Sequence, residues 1–488
     1  MTKDKLKVLF VSSEVSPFSK SGGLGEVAAA LPKELCEQGV DCRIVTPKFS
    51  NIPGHLLEGL DFKKVFETSL SWRRQQASVY QLERNGVVIY FIGNDYYFAR
   101  DGYYGYGDDY ERYAFFSKAA VELAGVMDFR PDIIHANDWQ TGLTAVYLKD
   151  KLSQYTFYSK TKSLFTIHNL QYQGVFGRGT LSSMDLDDGY FSMGGLEFYN
   201  NISLLKGGIV YGDAVSTVSE AYANEITTPS YGFSMDGVIR SRAGSLYGIV
   251  NGIDYEKNNP ATDKHIFQNY TAETAAAGKA ENKAQLQKEL NLPIRPEAPL
   301  FAVISRLADQ KGFDIMSIIM DELLNRDVQL VVLGQGDGRY EKMFNYFAWK
   351  YPQKCYFFTG FNENLAQKIY ASSDFFLMPS LFEPCGLGQL TAMRYGTLPI
   401  VRKTGGLADT VCHFSEDNLE GNGFSFDDYL ASGLMWAVNK AMEVFKDKDL
   451  MAKAILNAMS KDYSWGSSAR RYIHLYNKIS GKLSTDKA

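Results

Sequence analysis

The chain has 488 residues, too many for one ordinary hydrophobic core, so the sequence predicts two domains. A composition of 45% hydrophobic and 22% charged residues is typical of a soluble globular protein. A net charge of 51 − 56 = −5 gives no electrostatic reason to expect nucleic-acid binding, and no apolar run approaches the length of a membrane span.

Strand-length apolar runs alternate with helical stretches along the chain, which is typical of parallel α/β layers. The first half predicts strands at Lys7–Ser13, Cys42–Pro47, Val87–Ile92, Asp132–Asn137, Ser163–Asn169, Ala214–Val218 and Tyr247–Asn251. Residues 260–299 are rich in Ala, Lys, Glu and Asn, which predicts a connection that carries a surface helix. The second half predicts strands at Leu300–Ser305, Gln329–Leu333, Cys355–Thr359, Phe375–Met378 and Leu398–Val401 and helices at Glu341–Trp349, Leu387–Tyr395 and Ser467–Lys482.

One phrase occurs twice, each time between a predicted strand and a predicted helix. Residues 20–24 read Lys-Ser-Gly-Gly-Leu, and residues 403–407 read Lys-Thr-Gly-Gly-Leu. Paired glycines let backbone N–H groups approach an anion, and a helix N-terminus carries partial positive charge. Two copies far apart predict two similar α/β domains that face one another across a nucleotide site.

Further charged side chains follow predicted strands of the second half, where open α/β sheets bind ligands. Arg306 and Lys311 together could neutralise a diphosphate leaving group, although two solvated surface charges would look the same. Residues 383–387, Glu-Pro-Cys-Gly-Leu, suggest a carboxylate on sugar hydroxyls beside amides on phosphate. The alternative is an acid in the first turn of a helix.

Three features of the first half carry less weight alone. Asp138 and His168-Asn169 also end strands, but a helix N-cap and a structural histidine explain them equally well. The tyrosine-rich segment 95–110 offers aromatic faces and carboxylates that suit a carbohydrate, although such loops often only pack.

The sequence gives no sign of export or of a metal site. The first apolar run is too short for a secretory signal, and five cysteines without a Cys-x-x-Cys pair suggest reduced thiols. Six histidines without a cluster predict no metal. We therefore expect a cytoplasmic protein without nucleic-acid or membrane partners.

With these residues in hand, the chain resembles the bacterial glycogen synthases and plant starch synthases, glycosyltransferase family 5. The resemblance rests on residues 11–27, 135–140, 166–170, 250–254, 305–307, 383–387 and 402–410. In this order and spacing the set spans nearly the whole chain, and it is highly specific.

The resemblance implies the α/β GT-B architecture, in which two Rossmann-like, doubly wound domains face each other across a cleft. The expected domains are 1–255, on the acceptor side, and 256–464, which binds the nucleotide sugar, with a final helix, 465–488, that joins the first. It also implies transfer of glucose from ADP-glucose to the non-reducing 4-hydroxyl of an α-1,4-glucan with retention at the anomeric carbon, and no metal or other cofactor.

The same resemblance implies roles for individual residues. Donor binding falls to Lys20, Gly22, Gly23, Asn251, Gly386 and Leu387, catalysis to Glu383, His168, Arg306 and Lys311, and the acceptor or sugar side to Asp138, Asn169 and Tyr103.

The chain departs from the family pattern at some positions, and alternatives to this function stay open. Glu26 stands where many bacterial relatives have aspartate, and Gln140 stands where others have histidine. Thr391 occupies the place of a second glutamate found in sucrose-synthase-like transferases, which favours the synthases. The alternatives are a UDP-glucose-dependent transferase, a sugar-nucleotide epimerase and a glucan-binding protein without catalysis. The role of Lys403 and the oligomeric state are left open.

Overall fold

The structure is a computed structural model that describes residues 5–482, which divide into two compact units. The first unit takes the described residues up to 218, residues 223–249 and the described residues from 465 onward. The second unit takes residues 219–222 and 250–464.

Strands and helices alternate in both units. The strands are β1 (Lys7–Val11), β2 (Asp41–Pro47), β3 (Asp61–Leu70), β4 (Arg73–Arg84), β5 (Val87–Gly93), β6 (Ile133–Asn137), β7 (Lys162–Ile167), β8 (Val175–Gly177), β9 (Glu197–Phe198), β10 (Asn201–Ser203), β11 (Ala214–Thr217), β12 (Leu246–Gly248), β13 (Leu300–Ile304), β14 (Gln329–Gly334), β15 (Cys355–Thr359), β16 (Phe375–Met378), β17 (Leu398–Arg402) and β18 (Phe424–Phe426). The helices are α1 (Gly23–Glu37), α2 (Asp95–Phe98), α3 (Asp109–Val126), α4 (Leu143–Tyr147), α5 (Leu204–Tyr211), α6 (Glu220–Glu225), α7 (Asp236–Arg240), α8 (Ala275–Glu289), α9 (Phe313–Asn325), α10 (Gly338–Lys350), α11 (Glu363–Ser372), α12 (Gly388–Arg394), α13 (Gly405–Thr410), α14 (Ala431–Lys446), α15 (Lys448–Met459) and α16 (Trp465–Ser480).

The main sheet of the first unit has β1 near its centre. Its order among the described residues is β12-β11-β7-β6-β1-β2-β5-β4-β3, parallel from β12 to β5 and antiparallel from β5 to β3. Val8, Leu9, Phe10 and Val11 of β1 are fully buried, as expected for a central parallel strand covered on both faces. Strands β8, β10 and β9 form a small separate antiparallel sheet.

A buried polar chain ties the last helix, α16, to the strands of this sheet. The Nδ1 of His135 lies 2.7 Å from the hydroxyl of Tyr476, and its Nε2 lies 2.6 Å from Thr166 Oγ1. Thr166 Oγ1 in turn lies 2.6 Å from Ser216 Oγ. Because burial lowers the pKa of His135 well below its usual value, this ring stays neutral.

The sheet of the second unit is parallel throughout its described length, in the order β15-β14-β13-β16-β17-β18. Helix α8 lies where a surface helix was expected, but the structure corrects its environment. Lys279 and Asn282 are buried, and the Lys279 ammonium donates to carbonyls of Tyr370, Ala371 and Tyr395.

Strand order reverses once in each parallel region, and ligands of doubly wound sheets bind at such reversals. In the first unit the reversal lies between β1 and β6, and in the second between β13 and β16. The doubly wound α/β fold is thus confirmed for both units. No helix within residues 5–482 is long and apolar enough to cross a membrane.

Candidate functional site

The first candidate group is the glycine loop, residues 20–23, between β1 and α1. The loop is exposed, and a Cβ added to Gly22 or Gly23 would meet no atom within 4 Å. The Lys20 ammonium lies 2.5 Å from Glu26 Oε1, and both side chains are about 40% exposed. Open backbone at the start of a 15-residue helix, beside a lysine, is suited to binding an anion.

Glu14 supports this loop from the interior. Its carboxylate accepts hydrogen bonds from the backbone N–H of Ser21, at 2.5 Å, and from the Ser21 hydroxyl, at 2.7 Å. It also accepts one from the Tyr104 hydroxyl at 2.5 Å. Only 3% of Glu14 is exposed, so these bonds replace its hydration.

Asp138 and His168 meet at the carboxyl ends of β6 and β7. Asp138 Oδ1 accepts from the His168 backbone N–H at 2.8 Å, and no side-chain N-cap bond is formed. Loss of solvation raises the pKa of Asp138 to about 7 and lowers that of His168 to about 4. Asp138 also has φ 57° and ψ −179°, a sparsely populated conformation that costs ~1–3 kcal/mol and is concentrated at functional sites.

The tautomer of His168 follows from its neighbour Asn137. The Nδ2 of Asn137 donates to the carbonyl of Val11, which leaves its Oδ1 to face the His168 ring. His168 Nε2 lies 2.9 Å from that oxygen and therefore carries the proton. The other ring nitrogen, Nδ1, then bears a lone pair and can accept a hydrogen bond.

Tyr103 and Asn169 have more local contacts. The Tyr103 ring lies 4.8 Å from that of Phe49, and its carbonyl accepts from Arg112 and from the Tyr113 hydroxyl. Asn169 Oδ1 accepts from the backbone N–H of Gln171, which makes a local turn.

In the second unit, Lys311 and Glu383 form an ion pair beyond β13 and β16. The Lys311 ammonium lies 2.6 Å from Glu383 Oε2, with the side chains 20% and 7% exposed. The Ser380 hydroxyl donates to the same oxygen at 3.1 Å. Glu383 precedes helix α12 instead of lying in its first turn, and Arg306 is exposed on the turn after β13.

The second glycine loop, residues 403–406, differs physically from the first. A Cβ on Gly405, which has φ 45°, would lie 2.0 Å from the carbonyl oxygen of Glu383. A Cβ on Gly406 would lie 2.0 Å from that of Cys385, and the Gly406 N–H donates to the Glu383 carbonyl. These glycines therefore allow two backbones to pack closely. Lys403 lies 3.1 Å from Asp427 in an exposed ion pair.

The residues around Gly386 complete this group. Gln389 is buried and donates from Nε2 to the carbonyls of Cys385 and Gly386. Burial raises the pKa of the Cys385 thiol to about 12, so it is a poor nucleophile, and the Asn251 N–H contacts its sulfur. Leu387 is the N-cap residue of α12.

The structure thus brings Asp138 together with His168, and Lys311 together with Glu383. Glu14, Ser380 and Gln389 were not predicted from the sequence, and Tyr104 was predicted only as part of the tyrosine-rich segment 95–110. Glu14 directly follows the strand predicted over Lys7–Ser13, and an acidic residue in this position was the available sequence signal. Within residues 5–482 no group of three His, Cys, Asp or Glu side chains is arranged to hold a metal ion.

Comparison with known proteins identifies the family. Residues 7–241 match the family model of the starch synthase catalytic domain, and residues 285–459 match that of the group 1 glycosyl transferases. The glycogen synthase of Clostridioides difficile is 48% identical over 97% of this chain and all of its own length. That of Clostridium acetobutylicum is 49% identical over 97% of this chain and all of its own length. The chain belongs to the glycogen and starch synthase family.

Solved structures of this family and of a more distant fold relative agree. The catalytic domain of starch synthase IV from Arabidopsis thaliana, bound to ADP and acarbose, is 32% identical, with a TM-score of 0.89 over 98% of this chain and all of that one. Sucrose-phosphate synthase from Thermosynechococcus elongatus, at 16% identity and a TM-score of 0.63 over 98% of this chain and all of that one, shares the fold alone. The expected family and GT-B architecture are confirmed, and the protein is a glycosyltransferase.

Proposed function

We propose that this glycosyltransferase moves glucose from ADP-glucose to the non-reducing 4-hydroxyl of an α-1,4-glucan and releases ADP. The observation that carries the proposal is the similarity to bacterial glycogen synthases along 97% of the chain. The ADP bound to Arabidopsis starch synthase IV supports the choice of an adenine nucleotide.

The donor's diphosphate is assigned to cationic and backbone groups. Lys20 and the amides of Gly22 and Gly23 bind phosphate oxygens, since this loop is open and exposed. The Lys20 ammonium has three N–H donors, so it can bind a phosphate oxygen as well as Glu26. The first unit supplies these groups and the acceptor-side residues.

The second unit is assigned the nucleotide sugar. Arg306 and Lys311 stabilise the departing diphosphate, while Glu383 accepts hydrogen bonds from glucose hydroxyls. The ion pair with Lys311 holds the nearly buried Glu383 carboxylate in a fixed orientation, so that it is ready to accept hydrogen bonds. Asn251 and the amides of Gly386 and Leu387 complete this set.

The reaction is proposed to proceed without a protein nucleophile. The bond between the anomeric carbon and the diphosphate oxygen breaks, and a bond to the acceptor's 4-oxygen forms on the same face of the sugar. The proton of the 4-hydroxyl passes to an oxygen of the departing diphosphate. Retention follows from this geometry, whereas retaining glycosidases use two carboxylates about 5–5.5 Å apart.

Residues of the first unit are assigned to the reaction centre and the acceptor. Neutral His168 offers the lone pair of Nδ1 to a sugar hydroxyl. Asp138 follows β6 and Asn169 follows β7, and both are assigned to the acceptor side with Tyr103.

The test is a direct assay of the purified chain with a malto-oligosaccharide acceptor. Elongation by single glucose units with release of ADP is expected, with a higher kcat/KM for ADP-glucose than for UDP-glucose and α-configured product by NMR. Glu383→Gln serves as the inactive control. Conversion of the sugar nucleotide without any acceptor would indicate an epimerase, and a preference for UDP-glucose would refute the assigned donor.

The proposed location is the cytoplasm. An odd count of five cysteines leaves at least one thiol unpaired, which suits a reducing compartment. Cell fractionation tests this, and recovery of the activity outside the cytoplasm would contradict it.

A further inference from the structure

Glu14 is a carboxylate that is buried in the first unit at a cost in solvation free energy. It is 3% exposed, and within residues 5–482 its carboxylate forms hydrogen bonds with neutral donors without an ion pair. Burying a charge without a cation is expensive, and a negative charge near the glycine loop opposes the binding of phosphate. A buried acid at this place offers a phosphate no positive partner, so the contribution of Glu14 has to be the placement of the groups that it holds.

One end of the Glu14 network fixes the glycine loop. Ser21 lies between Lys20 and Gly22, and both its backbone N–H and its hydroxyl donate to Glu14. These two bonds set the direction of the chain on either side of Ser21. The Glu14 carboxylate therefore contributes to the placement of Lys20 and of the glycine amides.

The other end of the network is the aromatic loop, residues 99–108. The Tyr104 hydroxyl donates to Glu14 and lies 3.1 Å from Ser13 Oγ. The Tyr104 ring lies 6.2 Å from the ring of Trp139, which follows Asp138. The Tyr104 hydroxyl is 90 positions from Glu14 in the sequence, so the contact joins distant parts of the first unit.

The aromatic loop is held firmly enough to transmit a displacement. Arg112 donates to the Tyr103 carbonyl, and the amides of Gly105 and Tyr106 donate to Asp109 Oδ2. Arg112 is fully buried and paired with Asp109. These contacts fix the backbone on both sides of Tyr104 to helix α3, and Tyr104 is the contact of the loop with Glu14.

We propose that Glu14 is a positioning residue that couples the aromatic loop to the glycine loop, so that binding of the glucan acceptor and of the nucleotide strengthen each other. This inference rests on the proposed function, since it takes the aromatic loop as the acceptor side and the glycine loop as the phosphate side. By thermodynamic linkage, the acceptor must raise nucleotide affinity by the same factor by which the nucleotide raises acceptor affinity.

The experiment measures the affinity of the full chain for ADP by calorimetry, with and without saturating maltoheptaose. For the unmodified protein we expect maltoheptaose to tighten ADP binding about fivefold or more, within the usual range of such coupling. Tyr104→Phe and Ser21→Ala each remove one hydroxyl from the network and should reduce this ratio to about one. Glu14→Gln, which retains one acceptor oxygen, should do the same.

The matched control is Tyr106→Phe, which removes a hydroxyl from the same loop. This hydroxyl accepts a hydrogen bond from the Gly102 N–H and makes none with Glu14. Its coupling ratio should equal that of the unmodified protein. In the double variant Ser21→Ala, Tyr104→Phe the ratio should fall no further than in either single variant, because both act through one carboxylate. If Glu14→Gln fails to fold, the two hydroxyl deletions still decide the question.

Two results would overturn the inference: a ratio of one in the unmodified protein, or an unchanged ratio in Tyr104→Phe with an unchanged melting temperature. Neither depends on turnover, because ADP and maltoheptaose are binding probes. A chain that elongates glucan from ADP-glucose but shows no coupling refutes only this inference. A chain that binds both probes but does not elongate refutes the proposed function.

Discussion

The two glycine loops have similar sequences but different surroundings, and alanine substitutions should separate them. In Gly23→Ala the new methyl enters open space, whereas in Gly406→Ala it lies 2.0 Å from the carbonyl oxygen of Cys385. The first loop is therefore expected to affect ligand binding and the second to affect stability and catalysis.

The magnitudes follow from these distances. Carbon and oxygen atoms without a covalent bond rest about 3.3 Å apart, so Gly406→Ala requires the two backbones to separate by roughly 1.3 Å. Such overpacking costs about 2–3 kcal/mol and lowers the melting temperature of a domain of this size by roughly 5–10 °C. Since Gly406 also donates to the Glu383 carbonyl, the displacement reaches Glu383, and kcat should fall.

Gly23→Ala should behave in the opposite way. Gly23 is the first residue of α1, where alanine is at least as favourable as glycine, so stability should be unchanged or slightly higher. The methyl, however, occupies the space through which a diphosphate approaches the amides. We expect donor KM to rise about tenfold or more, equivalent to about 1.4 kcal/mol of binding, with little change in glucan KM.

Thermal unfolding of each ligand-free variant and steady-state kinetics with both substrates supply the measurements. If Gly23→Ala binds ADP-glucose like the parent enzyme, the first loop is not the phosphate site. If Gly406→Ala is as stable and active as the parent, the second loop does not support Glu383.

Further predictions concern ionisable groups. Lys20→Gln should lower kcat/KM for ADP-glucose roughly tenfold to a hundredfold while glucan affinity stays constant, because a charge-assisted hydrogen bond is lost; unchanged donor kinetics would contradict this. Lys311→Met leaves the 7% exposed Glu383 carboxylate without its cation, and it should lower the free energy of unfolding in urea by about 3 kcal/mol. Adding Glu383→Gln to the same chain should recover part of this stability. Burial lowers the pKa of His168 to about 4 in the folded protein, whereas in the unfolded chain this ring gains a proton near pH 6.5. Its contribution to the free energy of unfolding, about 3 kcal/mol, is therefore complete above pH 6.5 and is lost as the pH falls toward 4. The pKa of Asp138 is raised to about 7, so on acidification the folded protein takes up this proton before the unfolded chain does, which stabilises the fold and offsets the effect of His168. The Asp138→Asn variant should therefore lose stability more steeply with falling pH than the parent. Equal slopes of unfolding free energy against pH would refute the raised pKa of Asp138.

The parallel strands could be predicted because continuous apolar runs mark strands buried on both faces. Strands β3 and β4 were not predicted, since they form an antiparallel extension whose side chains are mostly exposed or half-buried and lack a clear apolar run. The charged composition of α8 indicated a surface helix, but burial of Lys279 is possible because backbone carbonyls surround its ammonium. Such partners come from distant parts of the chain and leave no local pattern.

The same limit applies to the candidate site. Glu383 and Lys311 could be proposed because motifs place them after strands, and the sheet order then brings those strand ends together. The proposed role of Glu14 depends on its hydrogen bond with Tyr104, and no rule of sequence spacing predicts that contact. The two glycine loops have similar sequences, but a sequence motif does not indicate whether the space beside a glycine is open or filled, so their different environments could not be predicted.

The position of α16 has a consequence for synthesis on the ribosome. Tyr476 supplies the hydroxyl that His135 contacts in the middle of the first unit, yet it is translated 341 residues later. Domains generally fold as units while the chain emerges, N-terminal first. Here the first unit has to wait, with part of its interior exposed, until the entire second unit has been made. Nascent chains halted before residue 465 should therefore bind chaperones through the first unit, and release should coincide with emergence of the last helix.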